Sequence, residues 1–346
     1  MYKLLLRPLF FKLNAETAHN AVLSLLTWMR HIPFGRLLLR LLYKRDSPNL
    51  AKEVFGIKFP NPVGLAAGLD KNADHYNELS DCGFGFIEVG SLTLEPQSGN
   101  PKPRVFRVPK DNAIINRMGI NNCGIRKAIC NIQDNPPECI MAISLAKNSK
   151  SSEEDEIVRD YETSMSLSYD FADMFVLNIS CPNVAGTEAL QDIDLLSNVV
   201  DHLLSMRLTY EKYKPILLKV SPDISYKQLD DILNYCMLSG IDGIVAGNTT
   251  RKREGLSISE SRLKDLGDGG LSGAPLYAKS LELVKHVFGY TKGRLPIIGV
   301  GGIMSPAQAD EMLKAGASLI EVYSGFIYEG PSLIKKIIKY LGRTKS

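Results

Sequence analysis

From about residue 60 onward, short apolar runs alternate with stretches whose apolar residues recur at helical spacing. The runs lie at 63–67, 86–90, 140–145, 174–179, 215–220, 241–246, 296–300 and 318–323, and they are rich in Val, Ile and Leu. A strand buried on both faces reads this way, because neither face alternates with solvent. Most of the runs are followed by Gly, Asn, Ser or Lys and then by an amphipathic segment. Eight strand–helix units in succession predict an α/β fold, a (β/α)8 TIM barrel. A doubly wound open sheet is the structural alternative.

The pattern before residue 46 is different. Asn14 is placed to cap a helix running to about Arg30, in which Ala15, Ala18, Val22, Leu25, Leu26 and Met29 recur at helical spacing. Pro33 suits the first turn of a second helix. There Phe34, Leu37, Leu38, Leu41 and Leu42 form one face, and Arg36, Arg40 and Lys44 the other. The chain therefore divides into a small N-terminal helical extension, residues 1–45, and a barrel domain, residues 46–346. Short amphipathic helices with basic polar faces suit a membrane surface. A helical hairpin packed on the main domain fits the same periodicity.

Charge sharpens that contrast. The net charge of +3 is too small to suggest nucleic-acid binding by the whole chain. Residues 1–45, however, carry Lys3, Arg7, Lys12, Arg30, Arg36, Arg40, Lys44 and Arg45 against Glu16 alone. No apolar run approaches the roughly 20 residues that a spanning helix needs. No small-residue cleavage site follows the start, so a secretory signal is not expected. The six cysteines form no C-x-x-C pair and none stands at zinc-site spacing with histidines. Reduced thiols and no metal site are expected.

In barrels of this kind, function sits where strands end and the following loops begin. Gly301-Gly302 and Ser324-Gly325 follow the seventh and eighth runs, where barrels frequently bind phosphate through backbone N–H groups. Lys219 ends an otherwise apolar strand, and an inward lysine there needs an anionic partner. A reduced flavin would be one, and charge near its pyrimidine ring tunes its electronics. Cys181 sits on the loop after the fourth run, between Asn178 and Asn183. A tuned thiol can act as a base, and the amides could hydrogen-bond a planar, amide-like substrate. Asn116, Asn121, Asn122 and Asn248 add further amides. No carboxylate pair and no Ser–His–Asp arrangement stands out, which points to redox chemistry on a polar heterocycle.

Five motifs carry a resemblance: Asn61-Pro62-Val63-Gly64-Leu65-Ala66-Ala67-Gly68-Leu69-Asp70-Lys71, Asn116-Arg117-Met118-Gly119, Asn178-Ile179-Ser180-Cys181-Pro182-Asn183, Gly269-Gly270-Leu271-Ser272-Gly273 and Gly299-Val300-Gly301-Gly302-Ile303. In this order they resemble the dihydroorotate dehydrogenases, more closely the quinone-linked (class 2) branch. The resemblance implies oxidation of dihydroorotate to orotate in pyrimidine biosynthesis, with FMN in the barrel mouth. It implies that Ala67, Gly68, Lys71, Ser91, Ser144, Asn178, Lys219, Gly247, Gly273, Gly302, Tyr323 and Ser324 hold FMN. Lys71, Asn116, Arg117, Met118, Gly119, Ile120, Asn178, Asn183, Asn248 and Thr249 would bind dihydroorotate, with Cys181 and Lys71 as the catalytic pair. His19 and Arg107 match positions that approach a quinone head group in relatives, and the N-terminal helices answer to the quinone entrance on a membrane. The resemblance also implies a peripheral enzyme on the cytoplasmic face of the inner membrane.

Three positions depart from the family pattern. Cys181 stands where the quinone-linked branch usually has serine; the soluble class 1 enzymes use cysteine. Ser144 stands where asparagine is usual and Gly247 where threonine is usual, which implies looser flavin contacts. The competing expectations are a class 1-like dehydrogenase using fumarate or NAD, and a non-catalytic FMN-binding protein docked to membranes.

Overall fold

Parallel strands cannot be joined by a tight turn, so each pair needs a crossover, here helical. The strands β1 (Val63–Leu65), β2 (Phe86–Leu92), β3 (Ile140–Leu145), β4 (Met174–Asn178), β5 (Ile216–Val220), β6 (Gly243–Ala246), β7 (Ile297–Val300) and β8 (Leu319–Val322) coincide with the eight apolar runs. They pair in parallel, each with the next, and β8 pairs with β1 to close the barrel. This is the (β/α)8 fold that the alternation predicts. The computed structural model describes residues 2–179 and 193–344.

The two faces of each strand serve different cores. Leu65, Ile87, Ile143, Phe175, Leu218, Ile244 and Ile320 face outward and pack with the helices. Phe86, Ala142, Met174, Val176, Leu217, Val245, Ile298 and Leu319 fill the interior. A hairpin, Lys52–Val54 with Ile57–Phe59, plugs the N-terminal end of the barrel. Its Phe59 meets Phe86 edge-on, with ring centroids 5.3 Å apart. Opposite, at the mouth, stands an antiparallel sheet of Val105–Val108, Ala113–Asn116 and Gly270–Gly273. These short strands come from loops after β2 and β6 and are absent from the sequence-based expectation.

The N-terminal helices α1 (Ala15–His31) and α2 (Gly35–Tyr43) form as expected, with the Asn14 side chain accepting a hydrogen bond from the Glu16 amide at 3.0 Å. Helix α2 begins two residues after Pro33, because Phe34 takes a left-handed conformation (φ 64°) at its start. The orientation of the pair corrects one expectation. The basic face points at the barrel. Arg30 pairs with Glu78 at 2.7 Å, and Arg36 and Arg40 clasp Asp81 at 2.7 and 2.5 Å. Glu78 and Asp81 are buried, and a buried carboxylate demands a partner. Arg36 and Arg40 are therefore engaged with the barrel. Leu23, Leu26 and Leu39 are buried on the same side.

The opposite face is apolar and bare. Trp28 is 62% exposed, Phe34 78%, Leu41 70% and Leu4 81%. Replacing Asp81 with alanine should leave Arg36 and Arg40 without their shared partner. Because both arginines keep contact with water and with Glu138, the loss should be about 2 kcal/mol, below that of a fully buried pair. A fall in the urea midpoint of that size, with an unchanged slope, is the expected result.

Candidate active site

Read from the plugged end toward the mouth, the inward side chains turn from apolar to polar. Phe86 gives way to Glu88, Met174 and Val176 to Asn178, Leu217 to Lys219, and Leu319 to Glu321. The period of two residues in a strand forces this alternate placement. Above the polar layer lies a cavity of about 500 Å³, within the usual size for ligand sites. It runs without a break from Lys219 and Asn178 in the barrel to His19, Val22 and Leu38 on the N-terminal helices.

One wall is a chain of amides and hydroxyls. Asn178 Nδ2 donates to Ser91 Oγ at 2.8 Å, and Asn248 Nδ2 donates to Asn178 Oδ1 at 3.4 Å. Ser91 and Ser144 share a hydrogen bond of 2.9 Å. Ser272 and Ser324 share another of 2.8 Å at the β8 side. The Thr249 hydroxyl and the Asn121 carbonyl oxygen are buried without a hydrogen-bond partner among the described residues. Both residues line the cavity.

The glycines here are required by close backbone approach. Gly302 has φ of 71°, and a Cβ there would lie 2.5 Å from the Tyr277 amide nitrogen. Gly247 has φ of 129°, and a Cβ would come within 2.3 Å of the Val300 carbonyl oxygen. A threonine would not fit at 247 on this backbone without a shift of the Val300 carbonyl. At 302 a bulky residue would disturb Tyr277 as well as any ligand.

Burial shapes the charges at the cavity. Lys71 donates to the Gly68 carbonyl. Its desolvation, with Arg104 nearby, brings its ammonium down to about 8. For His19, burial and then the charge of Lys71 lower the imidazole to about 3. The sign of the resulting linkage is fixed. Below the ordinary 6.5 the unfolded chain binds a proton that folded His19 refuses, so stability falls as pH drops from there toward 3. Between pH 7 and 5 the wild type should lose up to about 2 kcal/mol more than His19→Gln, as read by urea unfolding at both pH values.

Most expected residues meet at this one cavity: Ala67, Gly68, Lys71, Ser91, Asn178, Lys219, Gly247, Gly273, Gly302, Tyr323 and Ser324, with Asn116, Met118, Gly119, Ile120, Asn248 and Thr249. His19 and Arg107 line it too, Arg107 donating to the Phe10 and Leu13 carbonyls at 3.3 and 3.1 Å. Two expected residues stand elsewhere. Ser144 is fully buried behind Ser91 and touches the cavity only through it. Arg117 turns away, donating to the carbonyls of Leu266 and Pro103 and lying over the Phe106 ring. Cys181 and Asn183 lie outside the described residues.

One expectation about Lys219 is also corrected. Its anionic partner is already in the protein: Glu88 accepts from Nζ at 3.1 and 2.9 Å. Glu321, 4.0 Å from the same ammonium, is the third member. The signal was present in the sequence, since each Glu interrupts an apolar strand just as Lys219 does. Of the further amides, Asn121 lines the cavity and Asn122 does not, and Ser272 extends the expected set.

Comparison with known proteins agrees with this architecture. The family profile described as dihydroorotate dehydrogenase matches residues 49–344. A dihydroorotate dehydrogenase (quinone) of Christiangramia forsetii is 43% identical over 337 residues, 97% of each chain. That of Idiomarina loihiensis is 40% identical over 345 residues, 99% of this chain and 100% of the relative. Among solved structures, the enzyme from Eimeria tenella in complex with ferulenol superposes with a TM-score of 0.84 at 34% identity, covering 94% of this chain and 90% of that one. The chain belongs to the dihydroorotate dehydrogenase family, oxidoreductases of pyrimidine biosynthesis, and its near-full-length relatives are quinone-linked members.

Proposed function

We propose that this chain oxidises (S)-dihydroorotate to orotate with FMN and passes the electrons to a membrane quinone. The observation that carries the reading is the continuity of the cavity. One end is polar and lies in the barrel; the other is apolar and lies between the N-terminal helices. A soluble acceptor such as fumarate or NAD gives no reason for the second end.

The residues present fit FMN. Ser91, Asn178 and Lys219 offer hydrogen bonds suited to the edge of a flavin ring, and the orphaned Thr249 hydroxyl and Asn121 oxygen await a polar ligand. Gly273, Gly302, Tyr323 and Ser324 would hold the ribityl phosphate region, Ala67 and Gly68 would line the ring, and Lys71 would reach both flavin and substrate. Bound there, FMN supplies the two-electron acceptor that no side chain can provide. Among the described residues no cluster could hold a metal ion.

The chain's own part is to hold the substrate and move one proton. Asn116, Asn178, Asn183, Asn248 and Thr249 would fix the substrate ring by its amide edges. Met118, Gly119 and Ile120 would close over it. Cys181, as thiolate, would take the proton from C5 while the C6 hydride leaves on the other face of the ring. A soluble-type cysteine would thus serve a quinone-linked enzyme.

Residues 1–45 would form the quinone entrance, with His19 and Arg107 near the head group. The bare apolar face of these helices would rest in the cytoplasmic face of the inner membrane. Apolar contact would carry this docking, since Arg30, Arg36 and Arg40 are spent on the barrel. No described helix is long and apolar enough to cross a membrane. The test is steady-state turnover of dihydroorotate with a long-chain quinone, fumarate and NAD in turn. Turnover with quinone alone supports the reading; equal or faster turnover with fumarate or NAD contradicts it.

A further inference from the structure

Three charged side chains meet inside the barrel, and only one is positive. Lys219 Nζ donates to both oxygens of Glu88 and stands 4.0 Å from Glu321 Oε2. Both glutamates have fully buried side chains. No described N–H or O–H donates to either oxygen of Glu321, and the group beside it within hydrogen-bonding reach is the Glu88 carboxyl. The other strands add no charge at this level: β1, β3, β4, β6 and β7 present Ala66, Ser144, Asn178, Val245 and Val300, and on β8 itself Tyr323 donates to the Gly68 carbonyl.

Two carboxylates and one ammonium, all ionised, would leave an uncompensated negative charge away from water. One proton removes it, as when two carboxylates share a site. Geometry says which oxygen takes it. Glu88 accepts two bonds from the ammonium and a third from the Ala67 amide at 3.4 Å, whereas Glu321 accepts none. Burial, and then the facing Glu88 charge, push the Glu321 carboxyl well above the ordinary carboxylate range. Lys219 and Glu321 both line the cavity, with Glu88 behind them.

We propose that Glu321 is a neutral carboxylic acid at physiological pH, a positioning residue whose proton keeps the cavity floor uncharged overall. Glu88 and Lys219 then cancel, and Glu321 offers an O–H in place of a negative charge. The consequence rests on the FMN reading: a floor without net negative charge tolerates the anionic reduced flavin, and a floor bearing ionised Glu321 repels it.

The test has two arms on the purified wild-type protein. Infrared spectroscopy with isotope-labelled glutamate should reveal a carbonyl stretch of a protonated carboxylic acid at neutral pH. That band should be missing in Glu321→Gln. It should also vanish in Glu88→Gln, where Glu321 becomes the only counter-ion of Lys219, so either variant suffices if the other fails to fold. In the second arm, the flavin reduction potential of Glu321→Gln should follow the wild type at neutral pH. Above the pH at which the band is lost, the wild-type potential should fall more steeply than the variant's. No protonated-acid band at neutral pH overturns the proposal. A band with parallel potentials at all pH values overturns its link to the flavin. A protein that binds no flavin refutes the FMN reading, while the infrared arm still decides where the proton is.

Discussion

Cys181→Ala should slow reduction of the bound flavin by dihydroorotate by about 10²–10⁴, the usual contribution of a positioned base. Flavin content should be nearly unchanged, because apart from Asn178 at the end of β4 the residues that would hold FMN lie on other strands and loops. Cys181→Ser should keep part of the rate and regain it only at higher pH, since a hydroxyl ionises far less readily than a thiol. Pre-steady-state bleaching against pH for the three proteins is the measurement. An alanine variant that bleaches at the wild-type rate would make Cys181 a packing residue and move the base to another side chain.

The second large effect belongs to the apolar end of the cavity. Deleting residues 1–45 is a poor test, because it would strip Glu78 and Asp81 of their arginine partners and remove the buried Leu23, Leu26 and Leu39 from the core. A point change avoids this. Val22 lines the passage between the helices and the barrel and is only partly buried. Val22→Trp should fill that passage. Taking the usual cost of overpacking as the penalty on an entering ligand, reoxidation by a long-chain quinone should slow about ten- to a hundredfold. Bleaching by dihydroorotate should be nearly unaffected, because that substrate is held at the polar end. Equal slowing of both half-reactions would place the two ligands on one path.

The barrel was legible because strands buried on both faces write themselves as near-continuous apolar runs, and each of the eight runs contains a barrel strand. The sheet at the mouth was not, since Val105–Val108, Ala113–Asn116 and Gly270–Gly273 are short and lie inside loops rich in Gly, Asn and Pro. Gly302 reads in the sequence as a point of close backbone approach to a phosphate, and the group that approaches it in the structure is Tyr277; the equally tight packing of Gly247 against Val300 and of Gly273 against Asn112 had no sequence signal. Arg117 was expected inward from its place in a motif; the carbonyls of Leu266 and Pro103, both outside that motif, hold it outward. The basic character of residues 1–45 suggested attraction to an anionic surface. Its partners, Glu78 and Asp81, are far away in sequence, and periodicity within one helix cannot name them. Glu88 and Glu321 could have been found by the reasoning applied to Lys219: a charge at an inward position of a buried strand must meet its opposite.

The central claim is that one cavity serves two half-reactions, and a single anaerobic experiment tests it. The purified protein is mixed with dihydroorotate without oxygen, and the flavin absorbance is followed until it bleaches. Quinone, fumarate or NAD is then added separately. Bleaching followed by rapid recovery of colour with quinone, and not with fumarate or NAD, is the predicted result. A flavin that dihydroorotate cannot bleach, or one that fumarate or NAD restores as quickly as quinone, would contradict it.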